Sequence, residues 1–350
     1  MGSDSKKASK KQLLSEPIRH IDVKSFDASQ IMDAFAGMSF SARDTARASE
    51  ILERMLSDKD CTIILTLAGS TSAAGCMQVY ADMVKNNMVD AIVATGASIV
   101  DMDFFEALGF KHYKGTSAID DKFLRSLYID RIYDTFIDEE ELQGCDQAVK
   151  KIADALSPRP YSSREFIREM GRYLVKNSKK KDSLVQAAFE HNVPIFCPAF
   201  SDSSAGFGLV MHQVERNKKK SPSVSIDSVK DLRELTEIKM AAPISGLFMI
   251  GGGVPKNFAQ DTVVCAEVLG KNVPVHKYAV QITVADVRDG ACSSSTLKEA
   301  SSWGKVDTVF EQMVYAEATT VLPLIVSAAY HRGNWKNRPK REWAQYLDNL

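Results

Sequence analysis

Five short apolar runs constrain this chain most: TIILTLAG (62–69), VDAIVATGA (89–97), VPIFCPAF (193–200), SGLFMIGGG (245–253) and YAVQITVAD (278–286). Each is β-rich, apolar on both faces, and closes in small or turn-forming residues. Strands with no polar face suit a parallel sheet covered by helices on both sides. Helical patterns fill the gaps. SARDTARASEILERMLSD (41–58) predicts a helix capped by Ser41 with Asp44 three residues on, and it sets Ala48, Ile51, Leu52 and Met55 on one face. CMQVYADMVKNN (76–87) joins the first two strands at βαβ spacing. Residues 139–157 and 162–180 predict consecutive helices broken at SPRPY. Residues 228–240 and 258–272 flank the fourth run, and 316–331 predict a packed closing helix. This order predicts one doubly wound α/β domain over 17–340, mainly parallel, with helices on both faces.

The ends read differently. Residues 1–16, MGSDSKKASKKQLLSE, predict a basic, disordered N-terminal arm, and 341–350 a C-terminal tail. NKKKSPS (217–223) predicts an exposed loop rather than a linker. A formal net charge of −1 gives no global field toward nucleic acid or an anionic membrane. No apolar run is long enough to span a bilayer, and the first residues lack the apolar centre of a signal peptide. The six cysteines (61, 76, 145, 197, 265 and 292) form no CxxC pair. That pattern suggests neither a zinc site nor a disulfide framework, and it suits a reducing cytoplasm.

Doubly wound sheets bind ligands beyond the carboxyl ends of their strands. The residues there are Ala68 to Ser72, Thr95 to Ser98, Ser201 to Ser204, Gly251 to Gly253, and Asp286 to Ser295. Small and hydroxyl residues let backbone N–H groups approach a phosphate, so a dinucleotide is a reasonable ligand. Each piece keeps a plainer reading. GGGVPKNF lacks the GxGxxG spacing and reads equally as a tight turn. Asp202 suits either a ribose or a helix N-terminus, and Ser70 to Ser72 suit a capping cluster.

SSWGKV (301–306) raises the question of Lys305. A lysine forms an imine with a carbon electrophile once it loses its proton, which needs a desolvated pocket. Trp303 and Gly304 would supply an apolar wall. The plain alternative is a solvated lysine at a turn.

Glu299-Ala-Ser-Ser-Trp-Gly-Lys305 resembles the nucleophile block of the deoxyhypusine synthase family. LAGSTSAAG (67–75), NNMVDAIVATGAS (86–98), PAFSDSS (198–204), GGGVPK (251–256) and VYAEA (314–318) resemble that family's blocks in the same order, over most of residues 20–335. The resemblance implies a Rossmann-like fold binding NAD at the subunit interfaces of a homotetramer. It also implies a reaction in which NAD takes a hydride from spermidine, a lysine captures the imine, and the aminobutyl group passes to an acceptor amine. Lys305 then matches the nucleophile. Ser70, Thr95, Asp202, Ser204, Gly251, Gly253, Thr283, Asp289, Ala316 and Glu317 match the cofactor positions, with Glu317 replacing an aspartate. Glu299 and Trp303 match polyamine positions, a carboxylate for an ammonium and an aromatic face for a cation.

Three departures qualify that likeness. Asn257 stands where the synthases have a histidine base, and an amide accepts no proton near neutral pH. Phe207 and Cys292 stand where they have substrate aspartates. The pattern looks like the bacterial deoxyhypusine synthase-like branch. It implies a small di- or polyamine substrate, with a homospermidine-type product. Deoxyhypusine formation with another base, such as Asp261, and a non-catalytic NAD-binding paralogue are the alternatives.

Overall fold

The computed structural model describes residues 8–293 and 295–350. Its strands are β1 Cys61–Leu67, β2 Ala91–Ala94, β3 His112–Lys114, β4 Ile129–Ile132, β5 Thr135–Asp138, β6 Pro160–Tyr161, β7 Ile195–Phe196, β8 Ser225–Ile226, β9 Ile244–Ile250, β10 His276–Thr283 and β11 Val306–Tyr315. Six of them form the central sheet in the order β11-β10-β9-β1-β2-β7, with every neighbouring pair parallel. The five apolar runs are five of these six strands. Their doubly apolar character has a simple cause. In β1, Ile63, Leu65 and Leu67 enter one core layer while Ile64 enters the other; in β9, Phe248 and Ile250 oppose Leu247 and Met249. Alternating side chains meet a helix layer on each face.

The sixth strand, β11, was not among the apolar runs. It lies at the sheet edge and carries Asp307, Glu311 and Gln312, so it never reads as apolar on both sides. A three-stranded antiparallel sheet, β3-β5-β4, and the β6–β8 pair were also unforeseen. They occupy the segment between β2 and β9, where strands are short and polar.

The helices fall close to their expected places: Phe40–Ser57, Glu139–Ala155, Ser163–Asn177, Ser228–Ala241 and Ala318–Arg332. The expected cap at Ser41 is corrected. Ser39 is the N-cap residue, and the Ser41 hydroxyl, inside the helix, donates to the Tyr315 carbonyl.

Both ends are more ordered than the sequence suggested. Residues 1–7 of the expected arm lie outside the described residues. From residue 8 the arm is built in: Ser9 caps the short helix Lys10–Leu13, and Lys10 pairs with Asp138 and Glu140 at 2.8 Å each. Leu13 and Leu14 pack on Leu124, Ile129 and Phe136. The expected C-terminal tail is the helix Trp343–Asp348, which buries Trp343, Ala344 and Leu347. Just before it, Arg338 reaches Asp90 at 2.5 Å in the interior. Charge composition hid the few apolar residues that tie these ends down. Among the described residues no helix is long and apolar enough to cross a membrane.

Candidate active site

The carboxyl edge of the sheet gathers most of the small-residue turns. Thr95 N–H donates to the Leu67 carbonyl, and the Ser98 hydroxyl donates to the Gly69 carbonyl at 2.7 Å, so the turns after β1 and β2 are laced together. Both turns, Ser72–Cys76 and Ala97–Phe104, are wide π-type turns, a form common where backbone is shaped for function. Gly96 lets the next loop in: a Cβ there would sit 2.5 Å from the Ser203 Cβ. Ser203 caps the helix Ser204–Lys218, while Asp202 stays in the loop. The competing capping role suggested for Asp202 therefore belongs to its neighbour. Gly251 N–H donates to the Ile282 carbonyl, and Gly253 N–H to the Ser293 carbonyl. Thr283 accepts from Ala285 N–H, and the Asp289 carboxylate from Ser293 N–H. Glu317 caps the helix Ala318–Arg332 through Thr319, directly after Ala316 and the end of β11.

Three features of this edge fit a phosphate-bearing nucleotide. Gly69 and Gly253 have positive φ, and nothing lies within 4 Å of where a Cβ would stand, so backbone faces open space. The Ser204 hydroxyl is buried, makes no hydrogen bond of good geometry among the described residues, and lies near the Asp101 and Asp146 carboxylates. Beside it, burial raises the Asp101 carboxyl to about 6, opposed by the bond it accepts from Ser204 N–H. Ser70 sits at the head of the first turn, its carbonyl accepting from Ala73 N–H.

Lys305 is elsewhere. It precedes β11, and its carbonyl accepts from His276 N–H at the amino end of β10. The seven residue steps of β10 from His276 to Thr283 put roughly 23 Å between it and the carboxyl edge. Lys305 Nζ lies 2.5 Å from the Asp261 carboxylate and 5.5 Å from the centre of the Trp303 ring. Its side chain is 14% exposed, which removes the plain reading of a freely solvated lysine. Glu299 lies in the first turn of its helix. With Thr296 it forms a capping box, and those backbone and hydroxyl bonds hold its carboxyl below the usual range. Asn257 lies on the same helix as the glycine turn, four residues before Asp261.

Two predicted substrate residues stand apart. Phe207 is exposed beyond β7, at the opposite edge of the sheet from β11, with five strand spacings or about 24 Å between those edges. It lines a cavity of about 580 Å³ with Asp130, Glu139 and Asp146. Cys292 is exposed in the segment before Thr296. One chain therefore brings Trp303 and Asp261 against Lys305, while Glu299 lines a cavity of about 660 Å³ with Asp44, Arg47 and Tyr315, and Phe207 lies across the sheet.

Sequence reasoning missed two buried lysines. Lys256 is fully buried, and its Nζ donates to the Ser295 carbonyl. Burial pushes its ammonium down to about 8; the Glu299 carboxylate opposes that shift and the Lys305 ammonium adds to it. Lys239 donates to the Ser245 hydroxyl at 2.7 Å, and Ser245 meets His276 Nδ1 at 2.9 Å. His276 Nε2 faces the Ala259 carbonyl at 3.2 Å. This chain braces the backbone on both sides of the Asp261–Lys305 pair. A lysine three residues past a triple glycine was the available signal for Lys256; nothing in the sequence marked Lys239.

A mainly parallel α/β sheet with glycine turns at one edge and a largely buried lysine on an aspartate defines the class. The deoxyhypusine synthase family profile matches residues 30–329, and the chain belongs to that family. It is 68% identical over 336 residues to a deoxyhypusine synthase-like protein of Coxiella burnetii, covering 96% of this chain and 95% of that one. It is 38% identical over 330 residues to the "Probable deoxyhypusine synthase 2" of Methanosarcina mazei, covering 93% and 94%. The crystal structure of a deoxyhypusine synthase candidate from Entamoeba histolytica shares the fold, with a TM-score of 0.58 at 20% identity over 90% of this chain and 97% of that one.

Proposed function

We propose that this chain is an NAD-dependent transferase that moves an aminoalkyl group, of the 4-aminobutyl type, from a polyamine to a small amine through an imine on Lys305. The observation that carries this reading is the setting of Lys305, against the Trp303 face and on the Asp261 carboxylate, just after the helix that carries Glu299. Carboxylates suit the ammonium groups of a polyamine, and an aromatic face suits its charged or methylene parts. NAD, when bound, supplies reversible hydride uptake from the carbon beside the reacting amine. Gly69, Gly253, Thr95, Asp202, Ser204 and Glu317 would hold it at the carboxyl edge. Lys305 adds its lone pair to the imine carbon and the donor's remaining amine leaves, giving an imine on Lys305; the acceptor amine then displaces Lys305, and the hydride that NAD would take up would return to the new imine carbon.

The separation of Lys305 from that edge favours a site completed across a subunit interface. The exposed stripe Phe207, Val210 and Val214 on the helix Ser204–Lys218 favours assembly as well, and we propose a homotetramer. Scattered free cysteines suit the cytoplasm.

Borohydride trapping tests the reading. Protein incubated with NAD and candidate amines, agmatine included, then reduced, should carry an adduct on Lys305, and Lys305→Ala should carry none. No adduct with any common di- or polyamine would overturn it. A second reading, deoxyhypusine formation on a protein lysine, draws on the likeness to the archaeal relative. Transfer of label from spermidine to a translation-factor precursor separates the two.

A further inference from the structure

We propose that His276 is the positioning residue of the Lys305–Asp261 pair, held as the neutral imidazole with its proton on Nε2. This rests on the function proposed above, in which Lys305 is the nucleophile.

Lys305 needs a hold that the regular ladder does not supply. His276 of β10 lies opposite Val306 of β11, but Tyr278 lies opposite Phe310, so β11 bulges between those two pairs. A bulge interrupts the ladder and re-aims the side chains beside it. Lys305 lies on the far side of this bulge from most of β11. Its N–H donates to the Ala300 carbonyl at 3.1 Å, and its carbonyl accepts from His276 N–H at 3.0 Å. The ring of the same histidine reaches the other partner. Nε2 lies 3.2 Å from the Ala259 carbonyl, near the end of the helix Gly253–Gln260 and two residues before Asp261. One residue thus grips Lys305 through its backbone and the helix leading to Asp261 through its ring. Between those two grips the Lys305 and Asp261 side chains meet at 2.5 Å.

The hydrogen bonds fix the form of the ring. A carbonyl only accepts, so Nε2 carries a proton. The Ser245 hydroxyl lies 2.9 Å from Nδ1 and itself accepts from Lys239 Nζ at 2.7 Å, so its own proton points to a bare Nδ1. An imidazolium would set two donors on that hydroxyl and leave the hydroxyl proton without an acceptor. Lys239, Ser245 and His276 are all buried, where such a loss is costly. Burial also holds the His276 ring well below the usual histidine range, and the Lys239 charge adds to that. With both nitrogens engaged the ring is locked in one orientation, and the Ala259 carbonyl is locked with it.

The test reads the pair without relying on catalysis. Full-length protein is treated with formaldehyde and cyanoborohydride at pH 8, and methylation of the Lys305 peptide is timed by mass spectrometry against the other lysines. His276→Leu removes the ring donor, His276→Gln keeps an amide N–H at its end, and Asp261→Asn removes the charge that pairs with Lys305. His276→Leu and Asp261→Asn should each speed labelling of Lys305 by about fivefold, because each opens the pair. The double variant should label no faster than either single one, and His276→Gln should stay near wild type. Wild-type labelling in His276→Leu overturns the proposal, as do effects that multiply in the double variant. Acceleration spread equally over the other buried lysines overturns it too, since that outcome is general loosening. Equal acceleration in His276→Gln also overturns it. Should the variants not fold, 15N NMR of wild-type histidines decides: a proton on Nε2 with Nδ1 bare from pH 6 to 8 supports the assignment, and an imidazolium or a proton on Nδ1 overturns it. Non-multiplying labelling together with no amine adduct in the borohydride assay would sink the proposed function and leave the positioning of Lys305 standing. An adduct with multiplying labelling would do the reverse.

Discussion

Lys239 is buried with its Nζ on a serine hydroxyl, and burial pushes its ammonium down to about 8. The sign of its effect on stability follows. Between pH 8 and about 10.4 the unfolded chain holds a proton on this lysine that the folded chain does not, so raising the pH stabilises the fold. The contribution is full above the unfolded value and is lost as pH falls through 8. Urea unfolding should show wild type gaining about 2 kcal/mol over Lys239→Met between pH 8 and pH 10. Equal pH dependence in the two proteins would contradict the burial argument. Lys305 and Glu299 were legible as residues, because their block is contiguous. The Asp261 partner was named only as a possible base, since a contact across 44 positions leaves no local pattern. Glu299 shows two uses of one side chain: Thr296-x-x-Glu299 is a capping box, and the charge of the same carboxylate acts on the buried Lys256.

At the scale of elements, the turn into the helix Ser204–Lys218 depends on one missing side chain. A Cβ on Gly206 would lie 2.0 Å from the Ser201 carbonyl oxygen, which is backbone and cannot swing aside. Gly206→Ala should destabilise by about 3 kcal/mol, measured by thermal or urea unfolding, and should displace Asp202 and Ser204. Gly251 is a milder case. Its φ is +75° and a Cβ would meet the Ala68 Cβ at 3.0 Å, so Gly251→Ala should cost about 1–2 kcal/mol. Under the proposed function, isothermal titration should also show weaker NAD binding, because Ala68 heads the first turn of the carboxyl edge. The strands buried on both faces were legible from composition alone. The edge strand β11 was not, since the sheet gives it only one buried flank and its exposed positions accept charge.

For the whole molecule, the chain ends act as straps. Arg338 donates to Asp90, to the Cys61 carbonyl and to the Asn87 carbonyl, so a residue near the C-terminus fixes the start of β1 and the turn before β2. Arg338→Met leaves a buried carboxylate unpaired and should cost about 3–5 kcal/mol in urea unfolding. Assembly is the other question at this scale. Val210→Asp puts a charge in the middle of the exposed stripe on the helix Ser204–Lys218, so analytical ultracentrifugation should show smaller species than wild type. An unchanged sedimentation coefficient would remove that face from the interface.

The sequence by itself determined the parallel sheet, its glycine-rich edge and the family, because strand burial, turn chemistry and ordered motifs are written in contiguous residues. Only the tertiary structure decided that Lys305 lies at the amino end of the sheet, paired with Asp261, and that Lys256 is buried beside it. It also decided that Phe207 lies across the sheet from them. Those facts depend on the path of the chain in space. Desolvation and charge proximity act between residues far apart in sequence, and no local pattern encodes them.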